Sequence, residues 1–301
     1  MHIGIAGIGK MGAAIAARLI DNGHRIAVWN RTAAKAEALA ALGARIESTP
    51  RALAAACDVI IATLSDASVF DAVYHGVDGL LAGEVRGKIF IDLATIRPAD
   101  ARALAARVRA AGAAFVECPV SGSTGPAREG KLFALVGAEP EDFARVRPIL
   151  EGLCRRIEHL GPVGAGASMK LAINLPLLVY YQALGEALAL AKPLGLAPER
   201  LVDMLCDTSG TPAMMKNRAP SVVKQLQGIS VPPTVDVANV CKDLRTMLEE
   251  AQVRGGDSPL VRAALESYRA ELDAGFGSAD CTKLAALWFE RAPASPPQVA
   301  R

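Results

Sequence analysis

Two polar side chains, Lys170 and Asn174, stand four residues apart in the apolar stretch GASMKLAINL, residues 166–175. On a helix that spacing puts an amine and an amide on one face. The pair suits proton transfer. An ammonium donates to a developing alkoxide, a neutral amine accepts a hydroxyl proton, and the amide orients the substrate oxygen or the lysine. Burial among Leu171, Ala172 and Ile173 is expected to lower the lysine pKa and ease both roles. The competing reading is a lysine whose stem lies on the core while its head reaches water.

A second constellation lies at the start of the chain. GIGKMG places Gly7, Gly9 and Gly12 as G-x-G-x-x-G, with Lys10 and Met11 inside it. It follows the apolar run HIGIAGI and opens a helical pattern, the context in which the motif holds a dinucleotide pyrophosphate. Gly7 permits the tight turn, Gly9 lets the backbone approach the phosphates, and Gly12 lets helix and strand pack closely. The helix N-terminus adds N–H groups and a favourable dipole. With a nicotinamide cofactor the chemistry is hydride transfer, and the protein orients the substrate carbon and handles one proton.

The second strand ends in WNRTAAK, residues 29–35. Sites for NAD commonly carry an acid here for the ribose 2′-hydroxyl. This chain has none before Glu37 and offers Asn30, Arg31, Thr32 and Lys35. A cation with hydroxyl donors suits a 2′-phosphate, so the sequence predicts NADP(H) in preference to NAD(H). A solvated arginine at a loop tip is the alternative. Two further strand ends should line the cofactor cleft: TLSDAS (63–68), with Leu64 and Ser65, and DLATIRP (92–98), with Thr95. Thr95 either faces the nicotinamide or substrate, or caps the following helix.

The elements that must position these residues are read from hydrophobic periodicity. Residues 2–8, 25–30, 58–64, 88–93, 113–120 and 132–138 read as buried strands, alternating with helical patterns. Repeated strand–helix units predict an α/β fold, a doubly wound parallel Rossmann sheet. After GPVGAGA (161–167) the pattern becomes helical, broken at Pro193, Pro198 and SVPP (230–233). The expected domains are a Rossmann domain over 1–162 and an all-α domain over 163–290, with 291–301 a disordered tail.

The composition excludes several classes. The 301 residues are 51% hydrophobic with net charge +2, enough for a sizeable core and too balanced for a nucleic-acid or membrane-surface protein. Aromatics at 4% give no stacking platform for single strands. No unbroken apolar run reaches the roughly 18–20 residues of a membrane span, and the N-terminus goes straight into a strand pattern, so the expected location is the cytoplasm. Six scattered cysteines and four scattered histidines form no ligand cluster; the thiols read as reduced, and no metal is expected.

Four segments in order are similar to the β-hydroxyacid dehydrogenase family, over about residues 1–290: GIAGIGKMGAAIAARL (4–19), CPVSGSTGPAREGKL (118–132), GAGASMKLAINL (164–175) and CKDLRTMLEEA (241–251). The resemblance implies a hydride-transferring dehydrogenase or semialdehyde reductase. It makes Lys170 the catalytic lysine beside Asn174. It gives the substrate carboxylate to Ser121, Gly122 and Ser123, and brings Lys242 to the active site and cofactor. It further implies a site between the two domains, a small carboxylate-bearing substrate and a homodimer or homotetramer.

The second segment also stands on its own physics, since a strand, Pro119 and SGSTG can turn several N–H groups inward as an anion nest. Two departures bear on the substrate. Relatives usually carry Gly-Gly after the serine where this chain has Gly122-Ser123. The related 6-phosphogluconate dehydrogenases carry a histidine beside the amide, where this chain has Ile173 and Leu175. Imine reductases typically replace the lysine with Asp or Tyr. A dinucleotide-binding sensor without catalysis would keep the glycines and lose the lysine or amide; both are present here. DTSGTPAMMKNRAP (207–220) is placed by analogy over the substrate, with Met214 and Met215 as pocket or core residues.

Overall fold

Apolar runs in the first half of the chain form strands whose side chains alternate between two cores. The structure, a computed structural model, describes residues 1–64 and 69–293. The first half contains β1 (His2–Ala6), α1 (Lys10–Asp21), β2 (Arg25–Trp29), α2 (Ala34–Ala40), β3 (Arg45–Ile46), α3 (Pro50–Ala56), β4 (Val59–Ala62), β5 (Ile89–Asp92) and α4 (Pro98–Ala110). It continues with β6 (Ala114–Glu117), β7 (Val120–Ser121), α5 (Thr124–Arg128), β8 (Leu132–Val136), α6 (Pro140–Leu153) and β9 (Cys154–His159). A π-helical turn, Asp71–His75, precedes β5. Six parallel strands stand in the order β3-β2-β1-β4-β5-β6, the doubly wound Rossmann order. Strands β7, β8 and β9 form a second sheet, β7 antiparallel and β9 parallel to β8.

Ile3, Ile5, Val59, Ile61, Ile89 and Ile91 point into one core, and Ile60, Ala62 and Phe90 into the other. Burial on both faces is why these strands read as continuous apolar runs rather than alternating ones. The run at 113–120 is two strands, not one. β6 pairs with β5, the chain turns at Cys118 and Pro119, and β7 pairs with β8. Three elements escape the periodicity. β3 has two residues. α3 starts from a cap, with Ala52 N–H donating to Thr49 Oγ1 at 3.0 Å. β9 reads CRRIEH because it pairs on one side only and carries its charges there.

The chain divides into two compact units, Met1–Ala172 and the residues from Ile173 onward. The division falls inside α7 (Ala165–Ala191), ten residues beyond the boundary expected at residue 162. The first turns of α7 are bonded to β6 and so belong with the sheet. The second unit contains the rest of α7, a 3-10 turn at Lys192–Leu194, α8 (Pro198–Cys206), α9 (Met214–Leu226), α10 (Val237–Val253), α11 (Pro259–Glu271) and α12 (Lys283–Arg291). Among its described residues the strand-like pairing is one isolated bridge, Asp236 to Asp280. The expected tail lies beyond residue 293, outside the described residues.

Helix α7 with its 3-10 extension, Ala165–Leu194, is long and apolar enough to cross a membrane by length and composition. The window passes although no unbroken apolar run is that long, because Asn174, Gln182 and Glu186 interrupt the apolar sequence without adding much charge.

Asp280 holds the helical unit together. Its carboxylate, fully buried, accepts from Thr234 N–H at 2.8 Å, Thr282 N–H at 3.0 Å and Thr282 Oγ1 at 2.7 Å, and forms an ion pair with Arg218. Arg218 Nε in turn donates to Tyr181 Oη at 3.3 Å. Burial alone would raise the Asp280 pKa; the hydrogen bonds from Thr282 and Thr234 and the Arg218 charge hold it below the usual value. Asp280→Ala leaves the half-buried Arg218 guanidinium without its anionic partner and orphans the Thr234 and Thr282 donors, and is expected to destabilise the helical unit by roughly 3–5 kcal/mol. Urea denaturation followed by circular dichroism measures the loss; a change within about 0.5 kcal/mol would contradict the role.

Candidate active site

The glycine loop is braced from three sides. Gly7, at φ +98°, donates its N–H to the Trp29 carbonyl at 2.9 Å. Thr63 Oγ1 donates to the Gly7 carbonyl. Ile8 N–H donates to Asn30 Oδ1 at 2.9 Å, and Asn30 Nδ2 donates to the Thr32 carbonyl at 2.9 Å. Asn30, one of the residues expected at the cofactor, thus ties the glycine loop to the loop after β2 through its amide.

The three glycines serve different ends. A Cβ at Gly12 would collide with the Gly7 carbonyl oxygen and stand 2.6 Å from Thr63 Oγ1, so protein packing alone demands glycine there. A Cβ at Gly9 would meet no protein atom within 4 Å. Packing therefore gives no reason for glycine at 9, whereas close approach of a pyrophosphate does. The residues present thus fit a dinucleotide. Lys10 opens α1 in an exposed position, and Met11 is half-buried against the core. Arg31, Thr32 and Lys35 are exposed together after β2. Leu64 is half-buried at the end of β4, and Ser65 lies outside the described residues. Thr95 is half-buried, two residues before Arg97, the N-cap of the next helix.

The anion-loop candidates follow β7. Ser121 ends that strand, Gly122 takes φ +130°, and exposed Ser123 starts α5. A side chain at Gly122 would be strained, and its Cβ would press on Leu132 at 2.9 Å.

Lys170 and Asn174 lie one turn apart on α7, a helix unbroken between them. The burial expected around the lysine is only partial. Lys170 and Ile173 are half-buried, Leu171 is buried and Ala172 is exposed, because this part of α7 presents one face to the core and another to solvent. In the second unit Asn174 is 8% exposed and donates to Asp243 Oδ2 at 3.2 Å. Lys242 Nζ lies 2.7 Å from Asp243 Oδ1. One carboxylate thus holds the Asn174 amide and the Lys242 ammonium. Met215 is fully buried core, and Arg218 belongs to the Asp280 network. All six cysteines are free thiols.

Two carboxyls that the sequence reading gave no role sit at the strand ends. Asp92 and Glu117 are register partners on β5 and β6, 2% and 3% exposed. Asp92 accepts from Tyr74 Oη at 3.0 Å and from Ala94 N–H at 2.9 Å. Burial pushes its pKa up to about 6, against the pull of those two bonds. Glu117 accepts from Gly164 N–H at 2.6 Å and Ala167 N–H at 2.5 Å. Burial pushes it up to about 7, those N–H groups lower it, and the Asp92 charge raises it. The signal available in the sequence was an acid closing each apolar strand, in FID and FVE.

A Rossmann sheet, a glycine loop shaped for pyrophosphate and an all-α second half define a dinucleotide-dependent oxidoreductase. Comparison with known proteins narrows the class. Residues 2–161 match the family model of the NAD-binding domain of 6-phosphogluconate dehydrogenase, and residues 164–288 match that of NADP-dependent 3-hydroxyisobutyrate dehydrogenase. Glyoxylate/succinic semialdehyde reductase 1 of Arabidopsis thaliana is 33% identical over 280 residues, 93% of this chain and 96% of the relative. The 3-hydroxyisobutyrate dehydrogenase of Pseudomonas aeruginosa is 33% identical over 293 residues, 95% of this chain and 98% of the relative. A crystal structure of 3-hydroxyisobutyrate dehydrogenase from Salmonella typhimurium superposes with a TM-score of 0.86 at 25% identity, covering 95% of this chain and 99% of that one. The chain belongs to the β-hydroxyacid dehydrogenase family and is an NAD(P)-dependent enzyme of that kind.

The glycine geometry separates cofactor binding from folding. Gly9→Ala is expected to weaken NADPH binding by about tenfold or more with little change in melting temperature. Gly12→Ala is expected to lose both cofactor binding and roughly 1–3 kcal/mol of stability. Fluorescence titration and thermal melting check the pair; equal melting losses in both variants would contradict the assignment.

Proposed function

We propose that the enzyme interconverts a small β-hydroxy acid and its semialdehyde or keto form, uses NADP(H) in preference to NAD(H), and relies on Lys170 as general acid/base. The observation that carries the reading is the Lys170–Asn174 pair, one turn apart on an unbroken helix. Bound nicotinamide supplies or accepts the hydride. In the reducing direction the Lys170 ammonium gives a proton to the carbonyl oxygen as that oxygen gains charge; in oxidation the neutral amine takes the hydroxyl proton. Asn174 keeps one face of the helix polar, and Asp243 fixes the rotamer of its amide. Ser121, Gly122 and Ser123 receive the substrate carboxylate through backbone N–H groups and hydroxyls, a role that the left-handed Gly122 suits. Lys242 adds positive charge for substrate and cofactor.

The NADP preference is supported by exposed Arg31, Thr32 and Lys35 and by the absence of an acid at the end of β2. The substrate class draws support from relatives named as glyoxylate/succinic semialdehyde reductase and 3-hydroxyisobutyrate dehydrogenase. We further propose a cytoplasmic protein without membrane or nucleic-acid partners, and a homodimer or homotetramer built on the helical half. There Leu190 and Leu194 are 84% and 67% exposed, apolar surface that self-association would cover.

Oxidation of NADPH by purified protein, run against glyoxylate, succinic, tartronate and methylmalonate semialdehydes and a cyclic imine, tests the reading. One semialdehyde is expected to be turned over, with NADPH favoured over NADH. Lys170→Ala is expected to lose on the order of 10²–10⁴ in kcat. Turnover of the imine alone would point to an imine reductase. Cofactor binding with no turnover of anything would point to a sensor.

A further inference from the structure

Glu117 is a buried acid that the motifs do not use, and its partners are unusual. Both oxygens of one carboxylate take backbone N–H groups from the start of α7, Gly164 and Ala167, which lie 47 and 50 residues further along the chain. The surroundings are shaped for that approach. A Cβ on Gly137 would collide with Glu117 Oε2, and a Cβ on Gly166 would stand 3.3 Å from Glu117 Cδ. Glycine at both positions lets the carboxylate press against two stretches of main chain. The end of β6 is fixed in turn, because Glu117 exchanges both backbone hydrogen bonds with Gly137, at 3.0 and 2.8 Å.

Lys170 lies three residues beyond Ala167, about 4.5 Å along the helix axis. The lysine stands a little less than one helical turn past the point where the sheet grips the helix. We propose that Glu117 is a positioning residue for Lys170: its carboxylate clamps the first turn of α7 to the end of β6 and sets where the lysine is presented. The proposal rests on the reading of Lys170 as the general acid/base.

The chemistry of the clamp favours an ionised carboxylate. Two acceptor oxygens meet two donors at the positive end of a 27-residue helix. Protonation turns one of those oxygens into a donor facing an N–H, and the grip slackens. The groups acting on Glu117 are Asp92 from β5, with Tyr74 bonded behind it, Cys118 next in the chain, and the backbone N–H of Gly166 beside those of Gly164 and Ala167. Since burial holds the Glu117 pKa near 7, the clamp tightens as pH rises through neutrality, and Lys170 is presented best on the alkaline side of that range.

Glu117→Gln keeps the size of the side chain but sets an amide N–H₂ against a backbone N–H. In the full chain it is expected to lower kcat by about tenfold or more, to leave NADPH affinity within about threefold, and to flatten the rise of kcat between roughly pH 6 and 8. Glu117→Asp keeps the charge and is expected to retain that rise at a lower kcat. Wild-type kcat with an unchanged pH profile in Glu117→Gln would overturn the proposal. Should Glu117→Gln not fold, hydrogen exchange in the wild-type chain decides. Protection of the Gly164 and Ala167 amides, corrected for intrinsic rates, is expected to fall about tenfold between pH 8 and 6; constant protection would overturn the clamp. The exchange measurement needs no substrate. A pH-dependent clamp alongside a fully active Lys170→Ala would therefore fault the role given to the lysine, not the contact.

Discussion

A single buried carboxylate joins the sheet to the helix that bears Lys170. Glu117 closes β6, sits opposite Asp92 on β5, and takes the first N–H groups of α7. A helix N-terminus inside a protein must find acceptors for its N–H groups, and a buried acid must find donors. Each need meets the other here. The arrangement also accounts for Gly137, whose Cβ would occupy the carboxylate's place, while a Cβ on Gly166 would collide with the Leu135 carbonyl oxygen and crowd Glu117 Cδ at 3.3 Å. It explains why the first turns of α7 belong with the sheet, although the sequence around them already reads as helical.

The cofactor end of the same unit is built on a related economy. Gly12 leaves room for the Gly7 carbonyl, Thr63 donates to that carbonyl, and Asn30 takes the Ile8 N–H. The loop is held by β2 and β4 rather than by its own sequence. Its N–H groups are directed before a phosphate arrives, so binding does not have to meet the entropy of ordering them. Gly9 alone has no internal packing reason to be glycine.

Much of this was legible in the sequence because periodicity and turn chemistry are local. The strand–helix alternation, the helical second half, the glycine loop and the Lys170–Asn174 spacing all follow from neighbouring residues. What was hidden depends on distant partners. The β9 strand carries Arg155, Arg156 and Glu158 and has no apolar signature, since only its pairing with β8 makes it a strand. Asn30 stands in the loop expected at the cofactor, and its bond to Ile8, 22 residues away, adds a bracing role that its neighbours in sequence do not announce. Glu117 looked like an acid at a strand end, and nothing nearby in sequence announces Gly164 and Ala167 as its partners. Asp280 was equally silent, since Arg218 and Thr234 reach it from 62 and 46 residues away.

The central claim is that this member of the β-hydroxyacid dehydrogenase family reduces a small carboxylate-bearing aldehyde at a site served by Lys170. Following the label from NADPH deuterated at the transferring position of its nicotinamide tests it most directly, with methylmalonate semialdehyde, whose product is a β-hydroxy acid, as the first substrate and product analysis by mass spectrometry and NMR. The expected result is one deuterium on the new carbinol carbon of the hydroxy acid, formed by the wild-type chain and suppressed in Lys170→Ala. Oxidised cofactor with no deuterium in the acid, or label transferred equally well without the lysine, would contradict the account.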